Sequence, residues 1–453
     1  MKFLITLWLS KLVAAVIRVI APKRGSNYAG KIALKLMPEF VRGFKNIDLQ
    51  KTVFITGTNG KSTTTNLLRH TLQANGQTVA SNVEGANMMG GVATTLIKNS
   101  TLSGKFNKTY LILEIDERSL PAIRKVLPAA HMGITNLQKD QVQRNGDPDF
   151  IYRKFTSAIG KDMTLYLNNE EPRSKALESF AGNCFYYGVE PQPETFRWAD
   201  DYRVTLPCPK CGNPIQVKDY RLASIGTFAC SRCDHRSEEQ PHVVARQVDY
   251  EKGSFVCDGQ EYSVPYAQPF YIYNYVMDIA ICRNLGLPDG EIAAAIAGFV
   301  NPAHRRDQLT YHGKEIHYLR MKQENPETLQ SALDTIAADP TEKAVLIGLY
   351  EVKDFLPYYS GTFYFFDCDF TPIVKTPVEH YVLFSSTVCH DTANRLVYAG
   401  VPRDKLTVLD TEDVPTILAQ LDRLQSKNIY FVTGMKPYEQ LKSHFLMGGM
   451  QNA

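Results

Sequence analysis

The sequence predicts an α/β protein of two domains, the first interrupted by a small cysteine-rich module. Three observations carry that expectation. From Thr52 onward, strand-length apolar runs alternate with helix-length segments, the pattern of a mostly parallel sheet with helices on both faces. The first strand-to-helix junction holds a glycine-bearing loop, Thr56-Gly-Thr-Asn-Gly-Lys-Ser62. Between about Arg203 and Gln240 the apolar runs vanish, and Cys, Pro, Gly and charge replace them.

Taken in chain order, Met1 to Ile20 is rich in apolar residues, but Lys11 and Arg18 interrupt it. No uninterrupted span reaches the roughly 20 residues that a transmembrane helix needs. The segment is expected as an amphipathic helix packed on the next domain, within a helical lead over 1–46. A membrane-surface helix is the sharper alternative, and Lys23, Arg24 and Lys31 continue its basic character. A cleaved signal peptide fits poorly with the nucleotide motif that follows. The first α/β domain is expected over 47–300, with strands over 52–56, 110–115, 131–135 and 165–168 and a helix over 62–74. The inserted module occupies 203–240, and helical sequence resumes near 271–285. Asn301 and Pro302 break a helix, so 298–307 is expected to be a hinge. The second α/β domain, Rossmann-like, is expected over 301–453. Its candidate strands are 344–349, 381–385 and 429–433, and its candidate helices are 387–399 and 416–425.

Composition excludes some classes. With 44% hydrophobic and 21% charged residues, the chain is an ordinary globular protein. A net charge of +3 gives no footprint for nucleic acid, and none is expected as a partner. Nine cysteines, an odd number in a long chain, point to a reduced cytoplasmic compartment rather than a disulfide framework.

The loop after the first strand carries the chemistry. In Val53 to Leu68 a strand runs into Gly57-Thr58-Asn59-Gly60, then Lys61, Ser62 and Thr63, then a helix. Glycines let backbone N–H groups turn toward phosphate, and the helix N-terminus adds the positive end of its dipole. Lys61 would reach the β- and γ-phosphates of ATP, and the Ser62 hydroxyl would bind Mg²⁺. The general phosphate-loop pattern has a glycine where Ile55 stands. The bland alternative is a chance Gly-Lys-Ser in a loop.

Cys208-x2-Cys211 and Cys230-x2-Cys233 form two tight knuckles. Four thiolates at this spacing suit tetrahedral Zn²⁺ and close its coordination sphere, so a structural zinc ribbon is expected. His235 is a bystander on this reading. Unmetallated thiols or a redox pair are the alternative.

Thr56 to Thr65 resembles the shortened phosphate loop of the Mur ligase and folylpolyglutamate synthase superfamily, which joins an acid to an amine through an ATP-derived acyl phosphate. Other segments resemble that superfamily in the same order. Glu114, within Glu114-Ile-Asp-Glu117, is similar to its Mg²⁺-binding acid. Thr135-Asn136, Asp140 and Asn145-Gly146-Asp147 resemble a further stretch, with Gln141 where a metal-binding histidine is usual. Asn168-Asn169-Glu170-Glu171-Pro172 resembles its N-x-D-D-P. Ala303-His304-Arg305-Arg306-Asp307 resembles the interdomain H-R-x-E, which implies that Arg305 and Asp307 contact ATP. Met321-Lys322 with Asn325 resembles the segment that follows. The resemblance therefore implies a Mur-ligase-type middle domain, with Asn136 and Lys322 also at the ATP site.

Within the superfamily, the inserted ribbon, Asn82 to Gly91 and Asp140-Gln141 resemble the MurT family, the synthetase subunits of lipid II isoglutaminyl synthase. The residues before Lys51 are expected to be too few for the UDP-binding domain of the stem-peptide ligases. The resemblance implies amidation of the D-glutamate α-carboxyl of the lipid II stem peptide, with Lys61 and Glu114 catalytic. No glutaminase motif is evident, and the adjacency of Cys389 and His390 is no evidence of one. A class-I glutamine amidotransferase subunit of the GatD type is thus implied as a heterodimer partner. That family's C-terminal aspartate pair is missing, and Asp354 is the candidate replacement, before the Asp367-Cys-Asp-Phe370 run. The expected location is the cytoplasm, with contact at the inner face of the plasma membrane as an extension. Two other functions stay open: an amino-acid ligase that adds a residue, and a non-catalytic ATP-binding scaffold.

Overall fold

A computed structural model of the chain describes residues 1–20, 27–82, 86–139, 148–191, 206–222, 225–301, 306–320, 325–350 and 363–450. The chain divides into two units, Met1–Gln138 with Pro148–Ala303, and Lys139–Asp147 with His304–Ala453.

The first unit is built on β1 (Thr52–Thr56), β2 (Val79–Ser81), β3 (Tyr110–Glu114), β4 (His131–Ile134), β5 (Thr164–Asn168) and β6 (Asn183–Val189). Every residue of β1, β3 and β4 is buried, as a parallel strand covered on both faces requires. Side chains alternate between two cores. Val53, Ile55, Ile112 and Tyr166 join one, while Phe54, Leu111, Leu113, Leu165 and Leu167 join the other. β1 lies between β3 and β4, with Ile55 opposite Glu114 on one side and Gly133 on the other. The chain leaves β1 toward β2 and β3 and later returns to β4 on the opposite side. That reversal opens a crevice at the strand C-termini.

The helices here are α1 (Lys2–Ile20), α2 (Tyr28–Leu36), α3 (Lys61–Ala74), α4 (Met89–Lys98), α5 (Leu120–Val126), α6 (Pro148–Thr156), α7 (Pro172–Ala176), α8 (Pro269–Asn284) and α9 (Asp289–Ala297). α8 is buried over nearly its whole length and packs against α3. α1 packs on α2 and α4. Its Phe3 ring lies 5.2 Å from Phe40 and 5.3 Å from Phe44. Its Lys11 ammonium donates to the carbonyls of Ile97 and Ser100, at 2.5 and 2.7 Å, where α4 leaves its last carbonyls without helical partners.

The cysteine-rich module is a small antiparallel sheet of β7 (Leu206–Pro207), β8 (Pro214–Leu222) and β9 (Ile225–Cys230). Beyond it the structure departs from the sequence expectation, which resumed only with a helix. Three strands, β10 (Val243–Asp249), β11 (Ser254–Cys257) and β12 (Gln260–Ser263), extend the main sheet to nine among the described residues. They are short and mixed in polarity, so apolar periodicity is weak. The legible signal was Asp258-Gly259, both at positive φ (49° and 85°), a two-residue hairpin turn.

The second unit holds β13 (Arg306–Tyr311), β14 (Lys314–Arg320), β15 (Lys343–Gly348), β16 (Val378–Phe384), β17 (Leu406–Leu409) and β18 (Asn428–Thr433), in the order β13-β14-β18-β15-β16-β17. The sheet is parallel except at the β13–β14 hairpin, which turns through His312-Gly313 at positive φ. Helices Pro326–Ala338, Cys389–Ala399 and Val414–Arg423 accompany it. The expected hinge needs correction at its end: Asp307 lies within β13, opposite Tyr318. The intervening 302–305 fall outside the described residues.

Candidate functional site

The loop between β1 and α3 is shaped by two glycines. Gly57 has φ +120° and Gly60 has φ +90°, conformations that side chains rarely adopt. Space forbids a side chain at both. A Cβ on Gly57 would meet Thr135 Oγ1 at 2.3 Å, and one on Gly60 would meet Asn274 Oδ1 at 2.5 Å. The chain thus wraps tightly and enters α3 at Lys61, leaving a helix N-terminus with no side-chain cap.

The loop is fastened to the segment after β4. Thr58 N–H donates to the Asn136 carbonyl at 2.8 Å, and Asn59 N–H to Asn136 Oδ1 at 3.0 Å. Asn136 Nδ2 returns a bond to the Asn59 carbonyl at 3.1 Å. Thr58 Oγ1 donates to the Gln138 carbonyl and accepts from Gln138 N–H, while Asn59 Nδ2 donates to Gln138 Oε1. From the other side, α8 contributes Asn274, whose Oδ1 accepts from Thr64 Oγ1 at 3.1 Å. Asn301 Nδ2 reaches Thr63 Oγ1 at 3.5 Å. Such fastening pre-positions the loop N–H groups.

Lys61 lies across the loop. Its ammonium donates to the carbonyls of Gly57 and Thr58, and to Glu117 Oε1 at 2.5 Å. Both side chains are largely buried. Burial pushes the Glu117 carboxyl above its usual range, although Lys61 pulls it back. Glu114 sits at the end of β3, beside β1. Asn82 grips its backbone at both ends: Asn82 Oδ1 accepts from Glu114 N–H, and Asn82 Nδ2 donates to its carbonyl. Asn87 Nδ2 donates to Glu114 Oε1 at 2.9 Å.

The site thus gathers Gly57, Thr58, Asn59, Gly60, Lys61, Ser62, Thr63, Glu114 and Asn136 around one strand end. Ser62, half-buried in the first turn of α3, and Glu114 offer oxygen donors suited to a hard divalent cation. Arg305, Lys322 and Asp354 lie outside the described residues, as does Gln141. Sequence reasoning missed the parts played by Glu117, Asn82, Asn87, Gln138 and Asn274. Asn274 had a signal, since it is a lone amide in the otherwise apolar and aromatic run Phe270–Met277.

The four thiols of Cys208, Cys211, Cys230 and Cys233 lie within 4.8 Å of one another. Two of the separations are 3.7 Å (Cys208–Cys233) and 3.5 Å (Cys211–Cys230). A tetrahedron with Zn–S of about 2.3 Å has S···S edges of about 3.8 Å, so the cluster fits that ion. His235 stands apart from the cluster and turns its Nε2 to the Pro172 carbonyl at 2.9 Å. The module docks on the loop after β5. Glu238 N–H donates to Asn169 Oδ1, Gly226 N–H to the Glu170 carbonyl, and Lys175 to Glu238. In that same loop, Glu171 accepts from Arg173, Ser174 and Leu137 N–H groups. Leu137 lies between the two residues that fasten the β1–α3 loop.

Comparison with known proteins agrees with this architecture. Residues 55–211 match the Mur ligase middle domain, and residues 323–435 match the MurT ligase C-terminal domain. The chain is 28% identical over 397 residues to the MurT subunit of lipid II isoglutaminyl synthase (glutamine-hydrolyzing) from Staphylococcus aureus, covering 87% of each chain. It is 27% identical over 431 residues to that subunit from Streptococcus pneumoniae, covering 92% of each. In fold it is similar to a pseudomurein peptide ligase type C from Methanothermus fervidus, with TM-score 0.65 and 17% identity over 90% of this chain and 80% of that one. MurF ligase from Thermotoga maritima, solved in complex with ADP, is similar at TM-score 0.61 and 14% identity over 94% and 85%.

Proposed function

We propose, for a chain that is a ligase of the Mur type and a homologue of the MurT subunits, that it uses ATP to amidate the D-glutamate α-carboxyl of the lipid II stem peptide. The observation that carries this reading is the fastened loop from Gly57 to Ser62, with Lys61 lying across it and Glu114 beside it.

The residues divide the work. N–H groups of the loop and the first turn of α3, at the positive end of the helix dipole, hold the phosphates of ATP. Lys61 leaves Glu117 for the phosphate oxygens and offsets charge on the transferring phosphoryl group. Mg²⁺, when bound, would neutralise polyphosphate charge, with Ser62 and Glu114 to hold it. The substrate carboxylate attacks the γ-phosphorus and ADP departs. Ammonia then attacks the acyl carbon, and phosphate leaves to give the amide. Arg305, Asp307 and Lys322 are proposed as further ATP contacts. A zinc ion in the four-cysteine cluster is proposed as a structural brace.

Ammonia has to be delivered unprotonated. The five thiols outside the cluster are poor glutaminase nucleophiles: burial pushes Cys184 up to about 11 and Cys257 up to about 12, and raises Cys282, Cys368 and Cys389. This supports a separate glutaminase subunit of the class-I amidotransferase type as partner, with Asp354 as the proposed residue facing it.

ADP release tests the reading. With lipid II and concentrated ammonium salt at alkaline pH, the chain alone is expected to turn over ATP, and Lys61→Ala is expected to abolish it. Turnover that ignores ammonium but needs an amino acid would instead favour ligation of a residue.

A further inference from the structure

α1 packs inward through Phe3, Leu7 and Ala14, yet leaves a second apolar face uncovered. Its inward face carries Thr6, Leu7 and Ser10, all buried, and Lys11 beside them. Ser10 Oγ is buried with no partner. Its outward face carries Ile5, Trp8, Leu9, Leu12, Val16 and Val19, all exposed, Leu12 by 62% and Val19 by 83%. Their spacing by three and four residues makes one continuous stripe along the helix. Packing within the protein is already met by Phe3, Leu7 and Ala14, so burial of this second apolar face has to come from outside the chain. The stripe is larger than scattered surface apolar residues would produce, and such patches mark interaction sites.

Charge around the stripe selects the partner. Residues 1–38 contain seven Lys or Arg and no Asp or Glu, and residues 85–113 add Lys98, Lys105 and Lys108, again without an acid. These two stretches include α1, α2 and α4, the helices packed together here. Lys2, Arg18, Lys31, Lys35 and Lys98 are exposed. Against a whole-chain net charge of only +3, this is a strong local concentration. No helix among the described residues is long and apolar enough to cross a membrane. An apolar stripe with a predominantly basic surround, in which Glu39 is paired with Arg42, on a helix unable to span, is the signature of an interfacial helix.

We infer that α1 docks this face of the protein on the surface of an anionic phospholipid bilayer. Leu12 and Val16 enter the boundary between headgroups and acyl chains, with the half-exposed Trp8, whose indole N–H donates to the Leu102 carbonyl, at its edge, while Lys2, Arg18, Lys31 and Lys35 meet the headgroup phosphates. This deepens the proposed function, because a lipid-linked substrate is presented at such a surface. It is tested without that substrate, however, so the two readings can fail separately.

The test is vesicle co-sedimentation of the full chain, with no nucleotide and no lipid II. Vesicles of phosphatidylglycerol and phosphatidylcholine are expected to bind the chain at least tenfold more strongly than phosphatidylcholine alone, with added salt weakening the binding. Only two tryptophans are present, so Trp198→Phe leaves Trp8 as the reporter, and its emission is expected to shift blue on anionic vesicles. The pair Leu12→Glu and Val16→Glu is expected to lower binding at least tenfold, with melting temperature and nucleotide binding unchanged. Three results would overturn the inference: failure of the unaltered chain to bind anionic vesicles, binding indifferent to the glutamates, or a dimer in solution that the glutamates split while vesicles bind nothing. The last would assign the stripe to a second copy of the chain.

Discussion

Asp278 offers a quantitative test of how α3 is seated. It lies fully buried on α8 and accepts from Thr71 Oγ1 of α3 at 2.8 Å, with the Cys282 thiol on its other oxygen. No cation pairs with it among the causes of its shift, and burial pushes its carboxyl from 3.8 up to about 7. The folded state therefore holds a proton that the unfolded chain has lost. Because the folded value is the higher, stability is greatest below the unfolded value and falls as pH rises toward about 7, then levels off. At 1.36 kcal/mol per unit, the cost between about pH 5 and about pH 8 is roughly 2–3 kcal/mol. Asp278→Asn keeps shape and an acceptor for Thr71 while removing the titration. Urea unfolding at both pH values is the assay. The difference in unfolding free energy between variant and parent should grow in the variant's favour by that amount from the lower pH to the higher. Glu170, also pushed up to about 7, is present in both proteins and cancels. A constant difference across the range would refute the claim that Asp278 is held neutral.

Other consequences follow from named contacts. Gly60→Ala should cost about 1–3 kcal/mol of stability and weaken nucleotide binding more than tenfold, read by thermal melting and calorimetry, because the new Cβ has φ +90° and meets Asn274 at 2.5 Å. Glu117→Gln should tighten ADP binding in the absence of Mg²⁺ by about fivefold, on the order of 1 kcal/mol, by freeing Lys61 from its buried counter-charge; weaker binding would mean that Glu117 serves the nucleotide directly. Chelation of a bound zinc should release one equivalent per chain and raise hydrogen exchange over 206–230. Among the described residues, the module's own core cluster has three buried members, Cys208, Ile215 and Phe228, too few to hold it without the metal.

How much was legible in the sequence depended on what each element needed from its neighbours. β1, β3 and β4 declare themselves, because strands buried on both faces must be continuous apolar runs. The tight loop from Gly57 to Gly60 declares itself, because its glycines are demanded by backbone shape. The four-cysteine cluster does too, since two knuckles at fixed spacing have little other use. By contrast, β10 to β12 and the β13–β14 hairpin are edge elements with mixed polarity, readable only from Asp258-Gly259 and His312-Gly313. Lys61–Glu117 and Asn82–Glu114 were hidden because each joins residues far apart in the chain. The outward turn of the second apolar face of α1 could not be read from periodicity, which shows that a face is apolar but not the side it turns to.

Amidation is tested most directly by mass spectrometry of lipid II. Lipid II is incubated with the chain, a glutaminase subunit of the expected type, glutamine and Mg-ATP, beside a Lys61→Ala control. Amidation gives the small mass loss that replacement of one OH by NH2 produces, dependent on both the partner and Lys61. Unchanged mass while ATP still binds, or the gain of a whole residue, would contradict it.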